Sequence, residues 1–444
     1  MILILGGGLA GMSTAYHLRR RLPGRPRLVL EREPTPGGLC RSRVKNGFTF
    51  DYTGHYLHLR DPGTIALVGD LLGDELVEID RRSEIHCRGA RLPFPFQANL
   101  HGLPHDLVAR CLIDFVNARD EAMPDREGRM PFGDWARQVF GDAIAETFMI
   151  PYNTKQFGVA ANEITAEWVA WAVPRPDLAQ VVGGALGLRN EGLGYNPRFR
   201  YPRGGGIGRL PAALAGRIAE DLQLDAEVEA IDAQRREVRL TDGRTHRYSQ
   251  LVSTLPLPRL LERLTGLETR DGELEAGEIA ARLRWSAVLD LQMGVARPDF
   301  AEGVHWIYFP ELEYPFYRVG IPSNVCPAMA PPGCSAVSVE ICHRPGTPPP
   351  PLEELVPLVR EGLERAGMLD AGDEIVAAEA IVIDPAYVLF DEQCTTLVEE
   401  ALRRLENAGI LSIGRFGAWT YSYMERALID GKEAATKLAS VSVA

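Results

Sequence analysis

At 444 residues the chain is longer than a single core accommodates, so two domains with a helical insertion are expected. Its 48 basic and 60 acidic side chains leave a net charge of −12, which argues against nucleic-acid or anionic-membrane partners and requires any anionic ligand to meet a local arginine cluster. The seven cysteines show neither a C-x-x-C pair nor His/Cys ligand spacing, speaking against a metal site and a disulfide framework, and no apolar run reaches the roughly 18 residues of an integral membrane segment.

Met1 to Leu5 is a run of five apolar residues closed by glycines, which reads as a buried parallel strand rather than a signal peptide, so a cytoplasmic protein is expected. It enters Gly6-x-Gly8-x-x-Gly11 and a helix from Met12 to Arg21. In a dinucleotide-binding turn Gly6 permits the bend, Gly8 lets backbone N–H groups approach a pyrophosphate, and Gly11 lets the helix pack on the strand, with Leu9 and Ala10 in the same turn. A second strand, Arg27 to Leu30, ends in Glu31, placed to accept hydrogen bonds from an adenosine ribose, with Arg32 next.

The loop Pro34 to Ser42 holds Gly37, Gly38, Leu39 and Arg41, and reads either as a second nucleotide contact or as a surface loop. Phe48 to Tyr52 alternates as a strand and runs to Gly54-His55, either a flat-ring contact or a strand corner. From Leu107 to Arg189 the pattern is helical, with Trp135, Trp168 and Trp171 read as core. A glycine turn, Tyr201 to Arg209, leads into a helix, Leu210 to Ile218. Strands at Ala226 to Ile231 (containing Val228), Glu237 to Leu240 and Gln250 to Thr254 are then expected to rejoin the N-terminal sheet, with a hairpin turn at Asp242-Gly243.

Long β-type runs, Ser286 to Leu291, Val304 to Phe309 and Ser335 to Ile341, predict a mainly antiparallel sheet. Pro345 to Pro351 reads as a connector and Leu352 to Ala366 as an amphipathic helix. A last strand, Ile410 to Gly417, precedes Trp419-Thr420-Tyr421 and a C-terminal helix. The predicted architecture is α/β: a Rossmann-like domain from residues 1–90, 200–280 and 380–444, a helical subdomain from 91–199, and a β-sheet substrate domain from 281–379.

This order, with its second glycine-arginine loop and closing Gly414-Arg415-Phe416-Gly417, resembles the FAD-dependent amine oxidase and protoporphyrinogen oxidase superfamily (the GR2 type) along essentially the whole chain. The resemblance implies FAD rather than NAD. Four blocks, Leu92 to Asn99, Phe148 to Lys155, His305 to Arg318 and Gly414 to Tyr421, are similar to UDP-galactopyranose mutase, especially its eukaryotic branch.

That likeness implies pyranose–furanose isomerisation of a nucleotide-activated sugar in glycan or natural-product biosynthesis. N5 of the reduced flavin acts as nucleophile at the anomeric carbon, and NAD(P)H or another reductant supplies the electrons. Carried over by position, Arg318 binds the diphosphate, Tyr421 hydrogen-bonds a phosphate, Trp306 and Tyr308 line the sugar site, and Phe96 and Gln97 lie near the base. Asn153 and Tyr387 join the substrate contacts, and His55 with Gly54 abuts the isoalloxazine. The FAD contacts also include Val228, Gly414, Arg415, Tyr423 and Met424. From the residues alone, Trp306 and Tyr308 also fit a core, and Arg318 also fits a strand charge paired with Glu311 or Glu313.

Two departures keep other chemistries open. The second diphosphate arginine of the mutases aligns with Ala172, leaving Arg175 three residues on as its substitute. After Tyr421 the mutases' neutral segment is replaced by one in which Met424 to Ala427 offers helix N–H groups to the flavin and Glu425 adds an anion. Glu425 and Asp391 are either solvated charges or bases for dehydrogenation. The alternatives are therefore an FAD-dependent oxidase or dehydrogenase of a sugar, amine or polycyclic substrate, and a non-catalytic flavin-binding protein.

Overall fold

The computed structural model describes residues 1–119, 127–169, 173–188, 193, 197–270 and 272–441. The first strand, Ile2–Leu5, is buried on both faces, as a central parallel strand must be. It lies between Gln250–Ser253 and Arg27–Leu30, with Ile410–Ser412 and Leu222–Gln223 outside them, all five strands parallel. The helix after the fingerprint starts at Leu9 rather than Met12, because Gly8 serves as its N-cap.

Only Gln250–Ser253 of the three mid-chain strands rejoins this sheet. Val228–Asp232 and Glu237–Leu240 instead form a separate four-stranded sheet with Thr245–Arg247 and Leu264–Thr265, which corrects the expected topology. Alternation signals a strand but does not name its partner. The closing strand also stops early: Gly414 has φ +79° and Gly414–Gly417 forms one helical turn.

The C-terminal helix, Met424–Val441, packs on the first helix at Gly431, where an added Cβ would lie 2.5 Å from the Ala10 carbonyl oxygen. Ser13 Oγ donates to the Leu428 carbonyl at 2.6 Å across the same contact. The end of the chain is thereby held against the fingerprint.

A seven-stranded sheet runs in the order Ile375–Val388, Trp285–Val295, Ser335–His343, Arg318–Gly320, Trp306–Tyr308, Ser83–Cys87, Ala90–Pro93. It is antiparallel except where Trp306–Tyr308 meets Ser83–Cys87. The sheet thus takes in Ser83–Cys87, Ala90–Pro93 and Ile375–Val388 together with strands from residues 285–343. The helical region contains His105–Arg119, Phe132–Phe140, Ile150–Phe157 and Leu178–Ala185, and its core around Trp135, Phe140 and Phe148 merges with the sheet face bearing Val288 and Tyr317. Among the described residues, no helix is long and apolar enough to cross a membrane.

Candidate active site

The fingerprint glycines divide into two kinds. A Cβ on Gly11 would stand 2.0 Å from the Gly6 carbonyl oxygen and one on Gly6 would stand 2.2 Å from Thr254 Oγ1, so these two glycines are required by packing. A Cβ on Gly8 would meet only Gly38 Cα, at 4.0 Å. Gly8 therefore faces open room beside the Gly37-Gly38 loop, which is tied to the fingerprint by the Gly37 N–H donating to the Gly7 carbonyl at 2.8 Å. The first helix has no side-chain cap and no acid in its first turn, leaving its N–H groups to an anion.

Glu31 lies against the fingerprint turn. Its carboxylate accepts from Gly7 N–H at 2.7 Å and Glu33 N–H at 2.9 Å, which fixes its orientation. Arg41 donates to the Gly38 carbonyl, pairs with Glu33 at 3.1 Å and lies over the Tyr52 ring, so the loop reading as a nucleotide contact has a fixed cation in place. Arg32 is exposed and pairs with Glu33, Leu39 packs on the helical core, and the Val228 carbonyl accepts from Arg263. A Cβ on Gly414 would stand 3.0 Å from Ala10 Cβ, so the far end of the chain comes close to the fingerprint helix there. The glycine room, the free helix terminus and the oriented acid fit a dinucleotide.

His55, half-buried and within electrostatic reach of Arg415 and Arg318, has a buried Nδ1 with no hydrogen-bond partner among the described residues. Burial first, and then the Arg415 guanidinium, push the imidazole down to about 4, so it is neutral. Arg415 donates to the Ser422 and Ala386 carbonyls at 2.7 and 3.1 Å and lies over the rings of Tyr421, Phe416 and Tyr387. Gly54 sits against Tyr56, Met424 is buried at the start of the last helix, and Tyr423 is exposed beside it.

Sheet register builds the second half of the site. Arg318 pairs across the strands with Glu340 on one side and Tyr308 on the other, and Glu340 with Asp290. Glu340, 2% exposed, accepts from Arg318 Nε at 2.8 Å and Nη2 at 2.7 Å, and from the Tyr317 hydroxyl at 2.8 Å. Although burial opposes the charge, Glu340 keeps the guanidinium firmly cationic. The partner is thus Glu340, not Glu311 or Glu313. Burial and then the Glu340 charge push Asp290 up to about 7, and it accepts from Ser338 Oγ and Gln292 Nε2.

The phenols of Tyr152, Tyr317 and Tyr387 lie near the guanidinium. The Tyr152 ring meets Tyr308 at 5.3 Å and Tyr317 at 6.1 Å, both edge-on, and Tyr387 stacks on Tyr421 at 6.1 Å. Tyr421 also stacks on Trp168 at 5.2 Å, and its buried hydroxyl has no partner. Burial holds the phenols of Tyr152, Tyr317 and Tyr421 well above their ordinary pKa, so they stay hydrogen-bond donors. Trp306 stacks on Tyr56 at 5.1 Å, on the core side of its strand.

The remaining expected substrate residues gather separately. Phe96 is fully buried and stacked on Phe148, and Gln97 Nε2 donates to the Pro174 carbonyl at 2.6 Å, next to Arg175. Arg175 is exposed over the Trp135 ring, and Ala172 and Trp171 lie outside the described residues. Asn153 Nδ2 donates to the Met149 carbonyl within its helix.

The two acids that suggested dehydrogenation are engaged in structure. Asp391 accepts from Gln393 and Cys394 N–H at the start of the helix Cys394–Asn407. Glu425 is buried, with one oxygen accepting from Arg60 and Asp61 N–H at 2.5 and 2.7 Å. Sequence reasoning did not single out Glu340, Asp290, Tyr152, Tyr317 or Trp168 as site residues. A signal existed for the first two, as inward-facing carboxylates in otherwise apolar strands.

Residues 4–71 match the NAD(P)-binding Rossmann-like domain family. Solved structures similar along the chain include a putative protoporphyrinogen oxidase from Exiguobacterium sp. 255-15 (17% identity, TM-score 0.74, covering 99% of this chain and 98% of that one). Another is cyclohexylamine oxidase from Brevibacterium oxydans IH-35A (15%, 0.67, 100% and 99%). The chain thus has the fold of these two proteins. It is also similar to reduced UDP-galactopyranose mutase, at 29% identity and a TM-score of 0.92 over 99% of this chain and 95% of that one. The resemblance carried by the four sequence blocks therefore extends to the whole fold.

Proposed function

We propose that the protein is an FAD-dependent nucleotide-sugar mutase that interconverts pyranose and furanose ring forms. The observation that carries this reading is Arg318, a guanidinium aimed by a buried carboxylate with the phenols of Tyr152, Tyr317 and Tyr387 near it. Bound FAD, when reduced, supplies a nucleophilic nitrogen for the anomeric carbon. The chain's own residues supply the rest.

Side-on pairing with Glu340 occupies Nε and Nη2 of Arg318, and Nη1 has no hydrogen bond among the described residues. That edge is available to a diphosphate leaving group, whose charge it would hold through departure and return. The Tyr421 hydroxyl is a donor of matching kind. Tyr152, Tyr308 and Tyr387 wall the sugar site and exclude water, which keeps an opened sugar from being hydrolysed. Neutral His55 places an unpaired ring nitrogen within electrostatic reach of Arg415 and Arg318, where it can hold a proton position without adding charge.

Asp391 and Glu425 each hold backbone N–H groups through one carboxylate oxygen, a structural duty that accounts for both acids without dehydrogenation. Flavin-loaded, dithionite-reduced protein incubated with a panel of nucleotide sugars tests the mutase reading. Ring interconversion without an electron acceptor is expected; product formed only with oxidised flavin and an acceptor would overturn it.

A further inference from the structure

Lys155 lies on the helix Ile150–Phe157, one turn from Tyr152, yet its side chain leaves the helix and enters the hairpin between Trp306–Tyr308 and Arg318–Gly320. There Nζ donates to three backbone carbonyls, Phe309 at 2.8 Å, Glu311 at 2.7 Å and Phe316 at 2.6 Å. An ammonium has three donors and no acceptor, so the set is complete. The hairpin neck is closed by one further bond, Phe309 N–H to the Tyr317 carbonyl at 2.9 Å.

Among the described residues, no acid side chain shares the contact by a hydrogen bond. The Glu311 carboxylate is turned to Arg88 N–H at 2.9 Å and lies 3.8 Å from His86 Nδ1, while the Glu313 carbonyl accepts from Arg365. The carbonyl dipoles therefore provide the direct hydrogen-bonded support of the charge. We infer that Lys155 is a positioning residue: it pins the hairpin that carries Tyr308, Tyr317 and Arg318 to the helix that carries Tyr152, and so sets the width of the anion site.

Deleting the ammonium takes a donor from the Phe309 and Phe316 carbonyls and leaves the Glu311 carbonyl only the 3.4 Å bond from Tyr314 N–H, so the loop must open to water to recover what it loses. The cation then moves with its strand. Burial pushes Lys155 down to about 7, and the nearby Glu311 and Glu313 charges oppose that shift. This role rests on the nucleotide-sugar reading for its consequence, but not for its geometry.

The test uses flavin-loaded Lys155→Met and Lys155→Gln proteins with UDP as probe. The methionine should weaken UDP binding at least tenfold and raise KM for a nucleotide sugar more than it lowers kcat, with flavin content retained. Glutamine, which keeps two of the three donors, should recover part of both losses. Hydrogen exchange should rise in residues 306–318 and stay unchanged in residues 2–14. UDP affinity equal to wild type in both variants, or unchanged exchange in 306–318, would overturn the inference. If wild-type protein itself binds no UDP and turns over no nucleotide sugar, the functional reading fails, and the exchange experiment still decides the role of Lys155.

Discussion

Replacing Arg318 with alanine removes the counter-charge of Glu340 together with the cation offered to a diphosphate. Glu340 is 2% exposed and bonded to the guanidinium at 2.7 and 2.8 Å, so its isolation is a buried, uncompensated charge, costing about 3–5 kcal/mol of stability. A lost charge-assisted hydrogen bond to the ligand costs about 1.5–3 kcal/mol, or roughly 10- to 150-fold in Kd. The two effects separate in a second variant. Arg318→Ala combined with Glu340→Gln discharges the stranded carboxylate while the amide oxygen still accepts from Tyr317, so most of the lost stability should return and the binding defect should remain. Urea unfolding and calorimetric titration of flavin-loaded protein with UDP measure the two quantities. A double variant that binds UDP as wild type does would refute the assignment of Arg318.

Other outcomes follow from the same geometry. Gly8→Val should cost the apoprotein no more than about 1 kcal/mol in thermal unfolding as an N-cap replacement but abolish flavin retention, because its side chain occupies the cradle, whereas Gly11→Ala should lower Tm outright through its 2.0 Å clash with the Gly6 carbonyl. Burial raises Asp51 to about 6 and Asp290 to about 7 from an ordinary 3.8, so the native state holds protons that the unfolded chain releases. Their contribution is present near pH 4 and is lost as pH rises to between 6 and 7, and Asp290→Asn should flatten the upper part of that slope in a Tm against pH series. Asp391→Asn should leave turnover unchanged and alter stability by no more than about 1 kcal/mol, as expected of a helix cap; a loss of activity above tenfold would restore Asp391 as a candidate base.

Local signals carried the nucleotide half of the molecule. Glycines whose spacing is dictated by backbone approach, an apolar run and a following acid are features of a few neighbouring residues, and they fold as written, down to Glu31 bonded to Gly7. The substrate half depends on pairings that spacing does not reveal. Arg318 meets Glu340 22 residues away because two strands align in register, and Asp290 joins them from a third strand. The strand at Val228 was legible while its sheet was not, since alternation is the same in either sheet. Gly414–Gly417 looked extended because β-type residues precede it, but a left-handed glycine turned the chain. Lys155 was visible only as a conspicuous lysine in a block, its three carbonyl partners being backbone and so silent in any side-chain pattern.

Cleavage of the anomeric carbon–oxygen bond without net oxidation is the central claim, and positional isotope exchange reads it directly. A nucleotide sugar labelled with oxygen-18 at the bridging anomeric oxygen should scramble its label into the non-bridging oxygens of the terminal phosphate when incubated with reduced, flavin-loaded protein, and should not with the oxidised form. Retention of the label in the bridge under reducing conditions, with substrate consumed only when an electron acceptor is supplied, would contradict the account.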